Sequence, residues 1–214
     1  MNVPLDRHYA KLWNRYLDND ACPTCGLSYV REIEENRRAH RARHRQVLQV
    51  YEPKPVPSLA KLYAKHGTFV PVDYRTPLAL RRRMENMGLM FKREQGYDFP
   101  PYEANDYKYS KGPACHWLIV SLDGRPIGGM SAAWREYSNA PARWVWAWVW
   151  IVPSERKSGW MLRCWDMIRE QIPGLNEPER PLSIPAARFF VNRRDVPDYV
   201  RAHSVKVIAT PESD

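Results

Sequence analysis

The sequence predicts an α+β chain, a mixed β-sheet flanked by helices, behind a small N-terminal module of the Cys2His2 zinc-finger kind. Three observations lead there. Cys22, Cys25, His40 and His44 are spaced C-x2-C-x14-H-x3-H. Glu52-Pro53-Lys54-Pro55-Val56-Pro57-Ser58 has three prolines in alternate positions, which enforce extended backbone and mark a linker. Beyond it, apolar runs of strand length alternate with amphipathic stretches of helical length. The expected domains are residues 1–51, a linker at 52–58 and a larger domain at 59–214.

Between Pro4 and Asn19, Leu5, Tyr9, Leu12, Trp13, Tyr16 and Leu17 recur at roughly helical spacing and predict a short amphipathic helix. Glu32 to Gln49 is a second helix. After the linker, His66 to Asp73 reads as a strand, and Thr76-Pro77-Leu78 opens a basic helix reaching about Arg93. A Tyr- and Pro-rich loop covers Gly96 to Pro113. Cys115 to Ser121 and Pro126 to Trp134 flank Leu122-Asp123-Gly124-Arg125, a hairpin with Asp-Gly at its turn. Arg143 to Val152 is a third strand, and Lys157 to Gln171 a helix stopped by Pro173-Gly174. Pro181 to Ile184 is expected as a strand, Pro185 to Arg193 as a short helix and Val205 to Thr210 as a last strand.

Thirty-three Lys and Arg against 24 Asp and Glu give a net charge of +9, which suits polyanionic partners such as nucleic acid, an acidic protein surface or cofactor phosphates. The N-terminus has no apolar targeting segment and no apolar run is long enough to span a bilayer, so no membrane association is expected. A C-x-x-C without a secretory signal reads as metal binding in a reducing compartment, cytoplasmic, or nuclear in a eukaryote. Cys115 and Cys164 read as small buried residues. His8, His66, His116 and His203 have no partner pattern.

His40 and His44, at i and i+4, fall on one face of the Glu32 to Gln49 helix. Two thiolates and two imidazoles close a tetrahedral zinc shell with no open position, the structural arrangement. Arg37, Arg38, Arg41, Arg43 and Arg45 make helix 32–49 basic and able to meet phosphates. DNA-reading fingers of this class act in tandem, so a lone finger beside a larger domain reads first as a structural or docking module.

In the larger domain, the apolar strand ending at Ile151 and Val152 runs through Arg156, Lys157, Ser158 and Gly159 directly into an amphipathic helix beginning Trp160-Met161. Unpaired N–H groups and the dipole at such a helix start can receive a pyrophosphate, with Arg156 and Lys157 adding charge and Gly159 allowing close approach. The same residues resemble motif A of the GNAT acyltransferase superfamily, Arg/Gln-x-x-Gly-x-Gly/Ala, with Arg156 and Gly159 matching and Met161 in the last place. Ser183-Ile184-Pro185-Ala186-Ala187-Arg188-Phe189-Phe190 resembles the GNAT pattern Asn-x-x-Ala-x-x-Phe-Tyr. With Gly26, Leu27 and Tyr29 after the first cysteine pair, the whole resembles the cohesin acetyltransferases, in which a finger precedes a lysine-modifying core. Ala186 stands where that family has an aspartate, Pro153 lies near the position of its serine, and Phe190 replaces the tyrosine that many GNAT enzymes use as acid.

The resemblance implies an acetyl-CoA-dependent N-acetyltransferase acting on a protein lysine or another amine, with zinc as structural metal. Ile151 and Val152 would hold the pantetheine arm through their backbone. Strand Arg143 to Val152 contains no carboxylate, which leaves Glu136, Asp195 and Asp198 as candidates for the base and Ser183 or Tyr199 for the acid. The alternative is a nucleic-acid- or protein-binding adaptor on an inactive GNAT scaffold. Trp144, Trp146, Trp148 and Trp150 alternate with Val145, Ala147 and Val149. A strand period of two puts all four indoles on one face, as core or as the wall of an acceptor pocket.

Overall fold

The computed structural model describes residues 21–98, 100–105 and 113–210. The helix expected between Pro4 and Asn19 lies outside them. The chain divides into two compact units, residues 1–53 and 54–214.

The first unit carries a Cys22–Cys25 turn and helix α1, Glu34–Tyr51. Gly26 N donates to Cys22 O (2.7 Å) and Cys22 N to Leu27 O (3.1 Å), closing the turn around the two thiols. Among the described residues, its buried apolar side chains are Val30, Val47 and Val50 beside Cys25. On the outer face of α1, Glu34 binds Arg37, Arg38 and Arg41, the three positions one and two helical turns on.

The second unit opens with α2, Pro57–His66, within and beyond what the prolines mark as linker. Pro57 has no N–H to lose at a helix start, and its fixed φ already suits one. Strands β1 (Phe69–Val72), β2 (Ala114–Val120), β3 (Pro126–Tyr137) and β4 (Ala140–Ile151) pair in that order, antiparallel throughout. The sheet is therefore antiparallel rather than mixed. One parallel bridge joins Trp146 to Pro178, where Trp146 N donates to Glu177 O and Glu179 N to Trp146 O, each at 2.9 Å.

The hairpin forms where Asp-Gly predicts it. Ser121 N donates to Arg125 O (3.0 Å) and Gly124 N to Ser121 O (2.9 Å). Gly124 has φ +82, and a Cβ there would meet Val56 O at 2.7 Å and Ala60 N at 2.8 Å, so only glycine lets α2 lie this close. Helix α3, Leu78–Gln95, buries Met84, Met87, Met90 and Phe91. A Cβ on Gly129 would strike Met84 Sδ at 2.8 Å, which is why α3 can settle onto β3.

Helices α4 (Trp160–Gln171), α5 (Ile184–Phe190) and α6 (Asp198–Ala209) complete the unit. Pro181 to Ile184 is not a strand. Proline cannot donate to a ladder, and Ser183 instead caps α5, its hydroxyl accepting from Ala186 N (3.4 Å). Val205 to Thr210 is helical as well. The buried residues of α6 are Val200 and Ser204, four apart, and this helical period overrides the β-branched run, leaving Val205 and Ile208 exposed.

Helix α4 packs Trp165 between Trp146 and Phe190, with ring centroids at 5.4 and 5.1 Å, and Phe189 lies 4.9 Å from Phe190. Edge-to-face contacts of this kind add about 0.5–1.5 kcal/mol each beyond the burial itself. Trp165 Nε1 donates to Asp195 Oδ2 (2.8 Å), so the buried indole is satisfied.

The four β4 tryptophans do not share a face. Trp148 pairs with Ser131 and Trp146 with Ala132, so Ala147 is the extra residue of a β-bulge. Adjacent residues of β3 face opposite ways, and each partner shares its opposite number's face. Trp148 and Trp150 therefore lie on the Ser131 face, and Trp144 and Trp146 on the Ala132 face. Trp148 meets Phe91 of α3 (5.8 Å), whereas Trp146 meets α4 and α5.

Candidate functional site

Cys22, Cys25, His40 and His44 converge, one ligand atom from each lying within 4.8 Å of the others. The group can hold a metal ion. Cys22 Sγ stands 3.5 Å from His44 Nδ1, close to the edge of about 3.5 Å that a tetrahedron with zinc–sulfur and zinc–nitrogen bonds of ordinary length requires. His40 Nε2 is buried without a hydrogen-bond partner, and Tyr29 stacks flat on the His40 ring (3.8 Å, 8°), fixing its direction. The backbone N–H of Cys25, with the His40 and His44 imidazoles adding, pulls the Cys22 thiol down to about 5. Thiolate at neutral pH is the form a metal binds. The donor set fits zinc by its chemistry, two sulfurs and two imidazoles.

In the second unit, a cleft of about 630 Å³ runs along the outer edge of β4 to the start of α4, with Pro178, Pro181 and Leu182 on its far wall. It exists because the partner on this edge of β4 stops at the Trp146–Pro178 bridge, after which the two segments part. Val152 N donates to Ile127 O, so Val152 faces β3, and alternation turns Ile151 and Val149 toward the open edge. Of the two residues expected to offer backbone to a ligand, Ile151 is so placed. Val152 is fully buried, faces the other way and does not line the cleft. Trp146 Nε1, also lining it, is buried without a partner.

At the far end, α4 starts with no side-chain cap. The first helical bond is Arg163 N to Gly159 O (3.2 Å), so the N–H groups of Trp160, Met161 and Leu162 precede the ladder. Lys157 (φ +65) and Gly159 (φ +83) are both left-handed, and nothing lies within 4 Å of where a Gly159 Cβ would be. Such turned backbone before a helix start forms an anion-binding concavity. Lys157, Gly159, Trp160 and Met161 line it. Arg156 is used differently from expectation. Its Nε donates to Ile151 O (2.9 Å) and its Nη2 binds Glu94 (2.6 Å), so it braces the turn as well as lining the cleft. Ser158 Oγ likewise turns back to Glu155 O, and Ser158 is not part of the lining.

A second cleft, about 840 Å³, opens on the Ser131 face. It shares Phe91, Tyr97, Ala147, Trp148, Glu179 and Pro181 with the first, so the two meet at the bulge. Across its floor the strand register lines up His116 of β2, Ser131 of β3 and Trp148 of β4. Burial pushes the His116 imidazole down to about 4, leaving it neutral at pH 7, and its ring stands edge-on to Tyr102 (4.8 Å). Glu179 is held by Arg135, Nη2 to Oε2 3.0 Å. Tyr97 donates to Pro181 O (2.5 Å), and burial with the nearby Glu179 charge raises its hydroxyl. Burial also pushes Tyr102 up to about 12.

The expected acid and base residues divide. Glu136 lines the second cleft and Ser183 the first, the latter also serving as helix cap. Tyr199 lines neither; it donates to the buried Glu177, which also pairs with Arg143, and Arg180 lies over its ring. Asp195 is an anchor for Trp165, Arg169 and Arg193, with Arg193 holding its carboxyl well below the usual range. Asp198 pairs with Arg201 on the surface. Sequence reasoning missed His116 and Glu179, which only the strand register and the Trp146 bridge bring to the clefts. Cys164 is buried, its thiol pushed up to about 12, and Cys115 is half-buried.

No protein-family model matches this chain, and no curated protein is a significant match. Among the described residues, no helix is long and apolar enough to cross a membrane.

Proposed function

We infer that the second unit is an acetyl-CoA-dependent N-acetyltransferase on a GNAT-like scaffold, and that Cys22, Cys25, His40 and His44 hold a structural zinc. The observation carrying the reading is the cleft that opens where β4 loses its partner and ends at the uncapped start of α4. The open edge at Val149 and the Ile151 N–H suits an amide-bearing pantetheine arm, the Ile151 carbonyl being taken by Arg156. The Trp160 to Leu162 N–H groups, with Lys157 beside them, suit the pyrophosphate. The motif-A likeness of Arg156 and Gly159 adds to this, with Arg156 shaping the turn.

Bound there, acetyl-CoA supplies a thioester, an acyl group ready for transfer to an amine. The amine needs a neutral nitrogen and a route for its proton. Glu136 at the rim of the second cleft is the carboxylate in place for that proton. Glu179, nearer the junction, is neutralised by Arg135 and orients the wall. Ser183 is the hydroxyl nearest in kind to an acid for the departing thiolate. The zinc shell has no open position, and its part is to fold the first unit. Because Glu34 already engages three of the α1 arginines, the helix is a weaker phosphate surface than its composition promises.

Isothermal titration of the zinc-loaded chain with acetyl-CoA tests the reading. One site per chain is expected; no heat of binding refutes it and leaves the adaptor alternative.

A further inference from the structure

The second cleft has a floor in which two polar atoms find no protein partner. His116, Ser131 and Trp148 lie side by side across three strands, on one face, by direct register. His116 Nδ1 and Trp148 Nε1 are buried and unpaired. Ser131, 2% exposed, lies between them. Trp148 itself is 3% exposed. Leaving one such group unmet costs about 1–3 kcal/mol, so two together in one cavity mark a place where something else completes the bonds.

The walls narrow the class of that partner. Phe91, Tyr97 and Tyr102 present rings, and Pro100 and Pro101 add flat apolar surface. At the rim stand Glu103 and Glu136, both exposed and neither paired with a base among the described residues, whereas Glu179 is matched by Arg135. Rings and free carboxylates together favour an ammonium group attached to an apolar, planar body. A volume of about 840 Å³ is that of a site for a whole small molecule, larger than one lysine stem needs. The floor offers an indole N–H, a hydroxyl and a neutral imidazole, which suit a ring bearing hydrogen-bonding atoms.

We propose that the cleft floored by His116, Ser131 and Trp148 binds a small-molecule primary amine carried on an aromatic ring, and that this is the acceptor rather than a protein lysine. The proposal rests on the acyltransferase reading for the role of acceptor, not for the binding. In the transfer, the amine nitrogen bonds to the thioester carbon, the carbon–sulfur bond breaks, the amine proton passes to Glu136 or to water, and the thiolate is protonated to the free thiol of CoA.

Tryptamine serves as the probe. In the full, zinc-loaded chain, isothermal titration should show one tryptamine site. The Trp148 indole N–H resonance should move as tryptamine is added. Ser131→Val and His116→Phe should each weaken tryptamine at least tenfold, with acetyl-CoA affinity unchanged, since neither residue lines the first cleft. With both substrates present, acetyl-tryptamine should form at least tenfold more efficiently than acetyl-lysine in a peptide. No tryptamine binding, an unmoved Trp148 resonance, or preference for the lysine peptide overturns the proposal. The resonance is read in unaltered protein, so a variant that fails to fold does not blunt the test. Tryptamine bound without any acetyl-CoA binding supports the amine site and overturns the acyltransferase reading alone.

Discussion

Trp146 and Trp148, two residues apart on one strand, project from opposite faces of the sheet. The extra residue Ala147 makes this possible, and it places one indole against Trp165 and Phe190 and the other against Phe91. The same bulge lies where the two clefts meet, so the irregularity that splits the tryptophans also opens each cleft to the other.

Trp146→Ala should destabilise the second unit by about 3–5 kcal/mol, the usual loss for a buried tryptophan. Urea unfolding followed by fluorescence measures it. A loss below about 1 kcal/mol would mean that the Trp146–Trp165–Phe190 cluster is not the core on that face.

Neutral His116 ties stability to pH. Burial lowers its folded-state value to about 4 from an ordinary 6.5. Between those values the unfolded chain binds a proton that the folded chain refuses, so stability falls as pH drops from 6.5 to about 4 and is lost in full below that. The total is on the order of 3 kcal/mol. His116→Phe should flatten this part of the stability profile. An unchanged slope would show that the imidazole titrates freely in the fold.

Zinc at Cys22, Cys25, His40 and His44 is the proposed clasp of the first unit. Purified protein should carry one equivalent, and His44→Ala or Cys25→Ser should carry none by elemental analysis. Helix stability in proteins comes mostly from tertiary packing, and among the described residues α1 buries only Val47 and Val50. Chelation should therefore cost helical signal and expose α1 amides to exchange. Full helicity after metal removal would contradict a structural role.

Gly159 sits at φ +83 with open space where a side chain would go. Gly159→Val should cost about 1–2 kcal/mol of stability from backbone strain. It should weaken acetyl-CoA more than tenfold, because the new side chain occupies the hollow before α4. Unchanged affinity would move the pyrophosphate elsewhere.

What the sequence disclosed was local. The cysteine and histidine spacing, the Asp-Gly hairpin, and the strand running through Gly159 into a helix are each written in consecutive residues, and each is present. What it concealed depends on partners far away in the chain. The alternation from Trp144 to Trp150 is unbroken as text, and only pairing with β3 inserts the bulge at Ala147. Val205 and Val207 alternate like a strand, yet burial of Val200 and Ser204 makes the segment a helix. Arg156 reads as a phosphate ligand, and its ties to Glu94 and Ile151 O have no sign in the sequence. His116 had no pattern around it because Ser131 and Trp148 reach it only through the register of two other strands.

Hydrogen exchange on adding acetyl-CoA reads the same backbone amides that are proposed to bind it, and so tests that binding mode. Protection should rise at Val149 and Ile151 on the open edge of β4 and at Trp160, Met161 and Leu162 at the start of α4, while Val152, already bonded to Ile127 O, stays as it was. Exchange unchanged at those amides in the presence of saturating acetyl-CoA would contradict it.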